Sequence, residues 1–351
     1  LLKIPTFRPD LKQECDIIEE IVRHYGYNKV KENMFAHIAL GYTENSSEEY
    51  IEAIKDYLVG QGLMETVSNT LVSDKHVEIL DRKNVVQVEN PLSPETTFLR
   101  NSCIPSLLDT IKWNINRSLN NVRIFEIGRI FIDRKNLLPL EKTDIVCALT
   151  GMGKKVQLWN KERDKEVSFY QLKGMVESLL DFFHIKNYSF TPKKTSFFAD
   201  DCSFAISFDK KIYGYLGKIN AEILLSWEIK QPVYIVELDL NSVIKYVKKE
   251  ISYLPVPKFP YIIRDLSVIV EEDVLSGDMT ECIVNEGGKY LNQVDIFDVY
   301  RGKGIPEGKK SITFNLKFIS KEKTLTEIEI DPIFNAIIKS LGNKFSAALR
   351  T

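Results

Sequence analysis

Two groups of side chains in this chain have the types and spacing that chemistry needs. In the first, Asp16, Glu19 and Glu20 fall at i, i+3 and i+4, so one helix face would carry all three carboxylates, with Asp10 one and a half turns earlier. Like charges so spaced destabilise a helix by ~0.2–0.5 kcal/mol per pair. A hard cation relieves that repulsion, and oxygen ligands with retained water suit magnesium. The plain alternative is a solvated acidic face. In the second group, Arg301, Lys303, Lys309, Lys310, Lys317, Lys321 and Lys323 oppose only Glu307 and Glu322 between positions 301 and 323. Glycines at 302, 304 and 308 let the backbone approach a partner, and Tyr300, Phe314 and Phe318 add aromatic surface. A basic loop beside aromatic rings suits phosphate contact and base stacking on single-stranded RNA. The alternative is again ordinary solvated surface.

Other candidates are weaker. Gly151-x-Gly153-Lys154-Lys155 lacks the spacing and the following Ser/Thr of a phosphate loop, and reads as a turn. Arg123-x-x-Glu126 and Gly214-x-x-Gly217 are too short to be diagnostic. Cysteines at 15, 103, 147, 202 and 282 form no Cys-x-x-Cys pair, and histidines at 24, 37, 76 and 184 are scattered. That pattern points to a reducing cytoplasm and away from zinc or a disulfide frame. The net charge of −2 means that any RNA contact must come from a local patch. No apolar run approaches the ~20 residues of a membrane span, and no signal peptide opens the chain. The chain starts Leu1-Leu2-Lys3 without methionine, so a piece of a longer polypeptide is expected.

The elements that must position these residues follow from periodicity. Cys15, Ile18, Val22 and Tyr25 recur at helical spacing, Asp10 and Gln13 are placed for a capping box, and Gly26 is a natural stop. Helices are predicted over 47–61, 104–115 and 169–183, with Pro105 tolerable only in a first turn. Residues 29–42 read as a connector and 90–94 as a loop. Strands are predicted over 65–72, 84–89, 122–132, 144–150, 203–208, 211–219 and 233–240, with a hairpin at Asp209-Lys210. Antiparallel strands with helices on one side imply an α+β domain. Three prolines within 252–260 mark a linker. Beyond it a strand (265–270), helix (277–286), strands (293–300 and 311–319), helix (332–341) and last strand (347–350) give the βαββαβ order of a ferredoxin-like domain. Pro332 is expected at the first position of its helix, with Asp331 as cap.

Taken together, these motifs resemble the C-terminal half of the bacterial phenylalanyl-tRNA synthetase beta subunit family over essentially the whole chain. Arg8-Pro9-Asp10, Asp16-Ile17-Ile18-Glu19-Glu20 and Tyr25-Gly26-Tyr27 look like the end of its B5 domain. Asn90-Pro91-Leu92-Ser93, Leu99-Arg100, Ser102, Pro105 and Phe125-Glu126-Ile127-Gly128-Arg129 look like its catalytic-like core. Phe259-Pro260, Arg264-Asp265-Leu266, Phe297-Asp298-Val299-Tyr300, Gly304-Ile305-Pro306 and Lys309-Lys310-Ser311 resemble its ferredoxin-fold anticodon-binding domain.

The resemblance implies an end of B5 at 1–30, a class II synthetase-like antiparallel core with flanking helices at 31–251, and the anticodon-binding domain at 258–351. It implies a cytoplasmic α2β2 phenylalanine–tRNA ligase in which ATP is used by the holoenzyme and not bound by this chain. The chain itself would be non-catalytic, a scaffold for the alpha subunit and a grip on tRNA(Phe). It also implies a magnesium ion, shared with alpha, on carboxylates matching Asp10, Asp16, Glu19 and Glu20. No G-x-G-x-x-R segment follows residues 211–219, so the arginine that class II enzymes place against ATP is missing. The residues expected to touch tRNA are Tyr300, Arg301, Lys303, Lys309 and Lys310. The family's N-terminal tRNA-binding and editing domains have no counterpart in these residues. The alternative is a free-standing RNA-binding or regulatory paralogue of a synthetase.

Overall fold

The computed structural model describes residues 3–33, 35, 46–79, 84–135, 137–152, 166–247, 253 and 255–350. It divides into two compact units, Leu1–Ile251 and Ser252–Thr351. Most of the connector predicted over 29–42 (34 and 36–42), the lysines of the glycine-lysine segment near 153 and part of the proline-rich linker lie outside the described residues.

The first unit opens with helix α1 (Glu14–Tyr25), stopped by Gly26 at φ +99°. Asp10 does not cap it. The cap is Gln13, and Asp10 pairs with Arg8 instead. A guanidinium offers a carboxylate two charged N–H donors, which outcompete a single helix amide. Then come α2 (Ser46–Gly60), β1 (Met64–Glu65), β2 (Leu71–Val72), α3 (Asp74–Glu78), β3 (Val86–Gln87), β4 (Phe98–Leu99), α4 (Ile104–Ile115), β5 (Val122–Ile132) and β6 (Leu140–Thr150). They are followed by α5 (Phe169–Phe182), β7 (Tyr188–Pro192), β8 (Phe198–Phe208), β9 (Lys211–Ile219), α6 (Ala221–Ser226), β10 (Val233–Asp239) and α7 (Leu240–Val243).

Seven strands form one sheet in the order β1-β5-β6-β10-β9-β8-β7, antiparallel except where β1 runs parallel to β5. The strand predicted over 65–72 is two pieces in different sheets. β1 joins the large sheet, whereas β2 joins β4 and β3 in a small one. Strand β7 is not among the predicted strands, because Lys186-Asn187 and Pro192 bracket it with turn-forming and ladder-breaking residues. The hairpin at Asp209 and Lys210 is confirmed, with both residues at positive φ (46° and 66°), as a two-residue primed turn demands.

Helices cover both faces of the sheet, not one. On one face Leu107, Leu108 and Ile111 of α4 pack with Ile124, Val146, Ala148 and Ile235. On the other, Leu172, Val176 and Leu180 of α5 and Ile54 and Leu58 of α2 pack with Phe125, Cys147 and Val236. The reason is in β6, where every residue from Asp144 to Thr150 is buried, so neither side of the strand can face water.

The seat of α4 is fixed by a buried guanidinium. Arg100 Nη1 lies 2.6 Å from Glu126 Oε1, both side chains being almost fully buried. The same nitrogen donates to Ser68 Oγ (2.7 Å), and Arg100 Nε donates to the Arg129 carbonyl (2.8 Å). Gly128 leaves room for this cluster, because a Cβ there would stand 2.2 Å from Arg100 Nη2 and 2.9 Å from Cys103 Sγ.

The second unit comprises β11 (Ile262–Glu271), α8 (Ser276–Gly287), β12 (Leu291–Tyr300), β13 (Lys309–Phe318), α9 (Glu327–Phe345) and β14 (Ala348–Leu349). Its sheet order is β12-β13-β11-β14, the ferredoxin-like arrangement of βαββαβ. Both helices pack on one face, where Leu266, Val268, Phe314 and Leu316 meet Met279, Ile283, Ile330, Ile337 and Leu341. The expected break at Pro332 is absent. Helix α9 starts at Glu327 on a Thr326–Glu329 capping box and continues through the proline. The carbonyl that Pro332 leaves without a donor belongs to Ile328, which is 84% exposed, so water can satisfy it. Burial of Ile330 and Ile337 then anchors the turns on either side of the proline.

Two glycine substitutions test this packing. Gly128→Ala should destabilise the first unit by about 1–3 kcal/mol through overpacking against a pinned arginine. Gly174→Ala, in α5 with nothing within 4 Å of the new Cβ, should stabilise it by up to about 1 kcal/mol. Denaturant unfolding of both variants checks this, and equal effects would contradict it.

Candidate nucleic-acid face and carboxylate cluster

The four N-terminal carboxylates do different jobs. Arg8 Nη2 lies 2.6 Å from Asp10 Oδ2 and 2.5 Å from Glu20 Oε1, so one guanidinium joins the loop to the helix. Those hydrogen bonds hold the Asp10 and Glu20 carboxyls below their usual range and push the arginine up. Asp16 Oδ2 accepts the amides of Lys12 (2.7 Å) and Gln13 (2.8 Å), which lowers its pKa, the Gln13 amide contributing most. Glu19 is exposed on the helix surface. Among the described residues no group of three or more His, Cys, Asp or Glu is disposed to hold a metal ion. In this arrangement Arg8 serves as the cation for two of the four, Asp10 and Glu20.

In the second unit, the sheet face away from α8 and α9 is built by strand alternation. Register places Asp265, Ser267 and Ile269 of β11 beside Asn315, Thr313 and Ser311 of β13, and these beside Asp295, Asp298 and Tyr300 of β12. The result is a polar carpet over an apolar core: Ser267 and Thr313 hydroxyls bond at 2.8 Å, and Asn315 Nδ2 donates to Asp265 at 2.7 Å. Arg350, just beyond β14, reaches across it. Its amide donates to the Ser267 carbonyl (3.0 Å), and its guanidinium carbon lies 4.8 Å from the centroid of the Tyr300 ring.

The basic loop is less free than its sequence reads. Arg301 pairs with Glu272 at 2.6 Å and holds that carboxyl below its usual range. Lys309 pairs with Glu271 at 2.7 Å. Lys310 is only 9% exposed, donates to the Glu272 carbonyl at 2.7 Å, and has its pKa lowered by burial. Lys303 is exposed at the loop tip, where its carbonyl accepts from the Tyr300 hydroxyl at 3.4 Å. The structure thus brings Tyr300, Arg301 and Lys303 to one rim of the open face and turns Lys310 inward. Ser267, Thr313 and Arg350 were not singled out from sequence. The alternation in Asp265–Ser267–Ile269 carries the signal for Ser267, but only the register of β11 on β13 places the others beside it.

Comparison with known proteins accords with this architecture. The profile of the phenylalanyl tRNA synthetase beta chain CLM domain matches residues 33–240. The ferredoxin-fold anticodon binding domain matches 257–350, and the tRNA synthetase B5 domain matches 1–27. Curated relatives include the phenylalanine–tRNA ligase beta subunits of Clostridium tetani (30% identical over 99% of this chain), Bacillus licheniformis (31% over 100%) and Bacillus subtilis (30% over 100%). The chain spans 44% of the length of each of these three. Among solved structures, a pyrrolysyl tRNA synthetase from Desulfitobacterium hafniense is similar with a TM-score of 0.43 at 16% identity, covering 56% of this chain and 65% of that one. This chain belongs to the phenylalanyl-tRNA synthetase beta-chain family.

Proposed function

We propose that this member of the phenylalanyl-tRNA synthetase beta-chain family is the non-catalytic, tRNA-gripping part of a phenylalanine–tRNA ligase. In this reading the first unit scaffolds a catalytic alpha subunit, in an α2β2 assembly that uses ATP in the cytoplasm. The second unit holds tRNA(Phe). The observation that carries the reading is the open polar face of the four-stranded sheet. It offers hydroxyls, amides, an aromatic ring and a guanidinium on one surface, rimmed by Lys303 and Arg301. Unstacked bases are recognised by such surfaces through stacking and edge hydrogen bonds, with cations meeting the phosphates. No helix of the described residues is long and apolar enough to cross a membrane.

In the same reading, the chain divides functionally near residue 30 and again between 251 and 258, into the end of B5, the core and the anticodon-binding domain. The magnesium that the family implies would engage Asp10, Asp16, Glu19 and Glu20, and it has to displace Arg8 from Asp10 and Glu20 to do so.

Two measurements test the proposal. Lys303→Ala and Arg301→Ala should each weaken tRNA(Phe) binding and reduce the slope of log affinity against log salt by about 0.7–0.9, one phosphate contact each. Lys310→Met, which removes an inward-facing amine, should leave that slope unchanged. Equal slopes for all three variants would remove the loop from the interface. Calorimetric titration with magnesium should show weak or no binding to the chain and tighter binding to Arg8→Gln. No gain in that variant would exclude the carboxylates as ligands.

A further inference from the structure

Beneath the N-terminus of α4 the sheet carries more acid than base. Asp144 on β6 stands opposite Gly128 of β5 and Asp239 of β10. Glu237, two residues before Asp239, stands opposite Val146, on the same side of the sheet one alternation further along. The charges acting on Asp144 are Glu237 and Asp239 from β10 and Lys142 from its own strand, and the Cys103 thiol of the α4 head shares the site with Arg100 and Glu126.

Both cations are committed elsewhere. Lys142 Nζ lies 2.9 Å from Asp239 Oδ2, and Arg100 Nη1 lies 2.6 Å from Glu126. Burial pushes the Glu237 carboxyl up to about 7, but two donors oppose that rise and favour its anion over that of Asp144: Ser102 Oγ at 2.5 Å and the Cys103 amide at the start of α4. Asp144 has no such supply. It is 6% exposed, and its Oδ1 is buried with no hydrogen-bond partner among the described residues. A buried carboxylate with an unbonded oxygen, whose nearest cation Lys142 is bonded to Asp239 instead, is costly as an anion and binds a proton in its place.

We infer that Asp144 is a built-in proton site. The folded chain keeps one proton on the Asp144–Glu237 pair at neutral pH, and hydrogen bonding places it on Asp144 while Glu237 stays ionised at the head of α4. Burial first, then the Glu237 and Asp239 charges, push the Asp144 carboxyl up to about 8. Two like charges in one site do not ionise together at neutral pH, and the pair titrates as a unit. The sign follows from linkage. An acid whose folded pKa is raised binds more protons folded than unfolded, so its stabilisation is full below its ordinary pKa near ~4. It is lost progressively as pH rises toward about 8. Above that, a second anion forms beside Glu237 and works against the seat of α4. The core is thereby proton-linked in the direction opposite to the salt-bridged surface carboxylates Asp10 and Glu20.

The experiment uses the full chain with 13C-labelled aspartate carboxyl groups and follows Asp144, assigned by its loss in Asp144→Asn. Its resonance should titrate with a midpoint well above the other aspartates. In Glu237→Gln the midpoint should fall. In urea unfolding at pH 5, 6 and 7, the folding constant of the wild-type first unit should drop by up to about tenfold more per pH unit than that of Asp144→Asn. A carboxyl that titrates with the other aspartates, or an unchanged midpoint in Glu237→Gln, would overturn the shared-proton site. If Asp144→Asn does not fold, the wild-type and Glu237→Gln resonances still decide the matter.

Discussion

The first unit depends on how a single buried guanidinium is satisfied. Arg100 ties the loop before α4 to β5 through Glu126 and the Arg129 carbonyl, and ties both to Ser68 between β1 and β2. Removing either charge would leave the other buried and unpaired, at a cost of about 3–5 kcal/mol. The pair explains several neighbours at once. Gly128 is needed for clearance, Ser102 and Glu237 are positioned at the helix head, and β1 and β2 are split between two sheets at the point where Ser68 must reach the cluster. The apolar layer of α4 against β5, β6 and β10 provides the bulk of the burial, while this polar group sets where that layer sits.

Charge bookkeeping runs through the whole chain in the same way. At the N-terminus Arg8 joins Asp10 to Glu20, and in the second unit Glu271 and Glu272 answer Lys309 and Arg301. In each case a sequence window suggests an excess of one sign, and a residue close in space but outside that window cancels much of it. The open face of the second unit is then governed less by net charge than by placement, with Tyr300, Arg350 and the hydroxyls of Ser267 and Thr313 sharing one surface, while Ser311 beneath them is buried. Such a surface suits the reading of a single strand, where stacking and edge contacts matter and the phosphates need only a modest number of cations.

Much of this was legible in the sequence. Long periodic elements such as 104–115, 122–132 and 211–219 read correctly because burial enforces their spacing, and the same kind of signal in 265–270, 293–300 and 311–319 gave the βαββαβ order of the second unit. The rest failed for physical reasons. Residues 65–72 look like one strand because short β pieces carry no signal of which sheet they join. Asp10 has the composition of a cap, yet its neighbour two residues back is a better partner. Pro332 breaks a rule that holds where the freed carbonyl is buried, and Ile328 is exposed. Lys310 sits in a basic run, and only strand alternation distinguishes it from Lys309. The second helical layer carries a signal in β6, where Ile145–Leu149 is a continuous apolar run and not an alternating one, but Asp144 and Thr150 at its ends give it the polar borders of a one-sided strand.

In the proposed function this chain supplies form and grip, and a partner performs the chemistry of aminoacylation. That division is tested most directly by phenylalanine-dependent exchange of label between ATP and pyrophosphate, assayed with the purified chain alone and again after adding the alpha subunit and the remainder of the beta chain. The account predicts no exchange by the chain alone and exchange by the full assembly. Exchange catalysed by the isolated chain would contradict it.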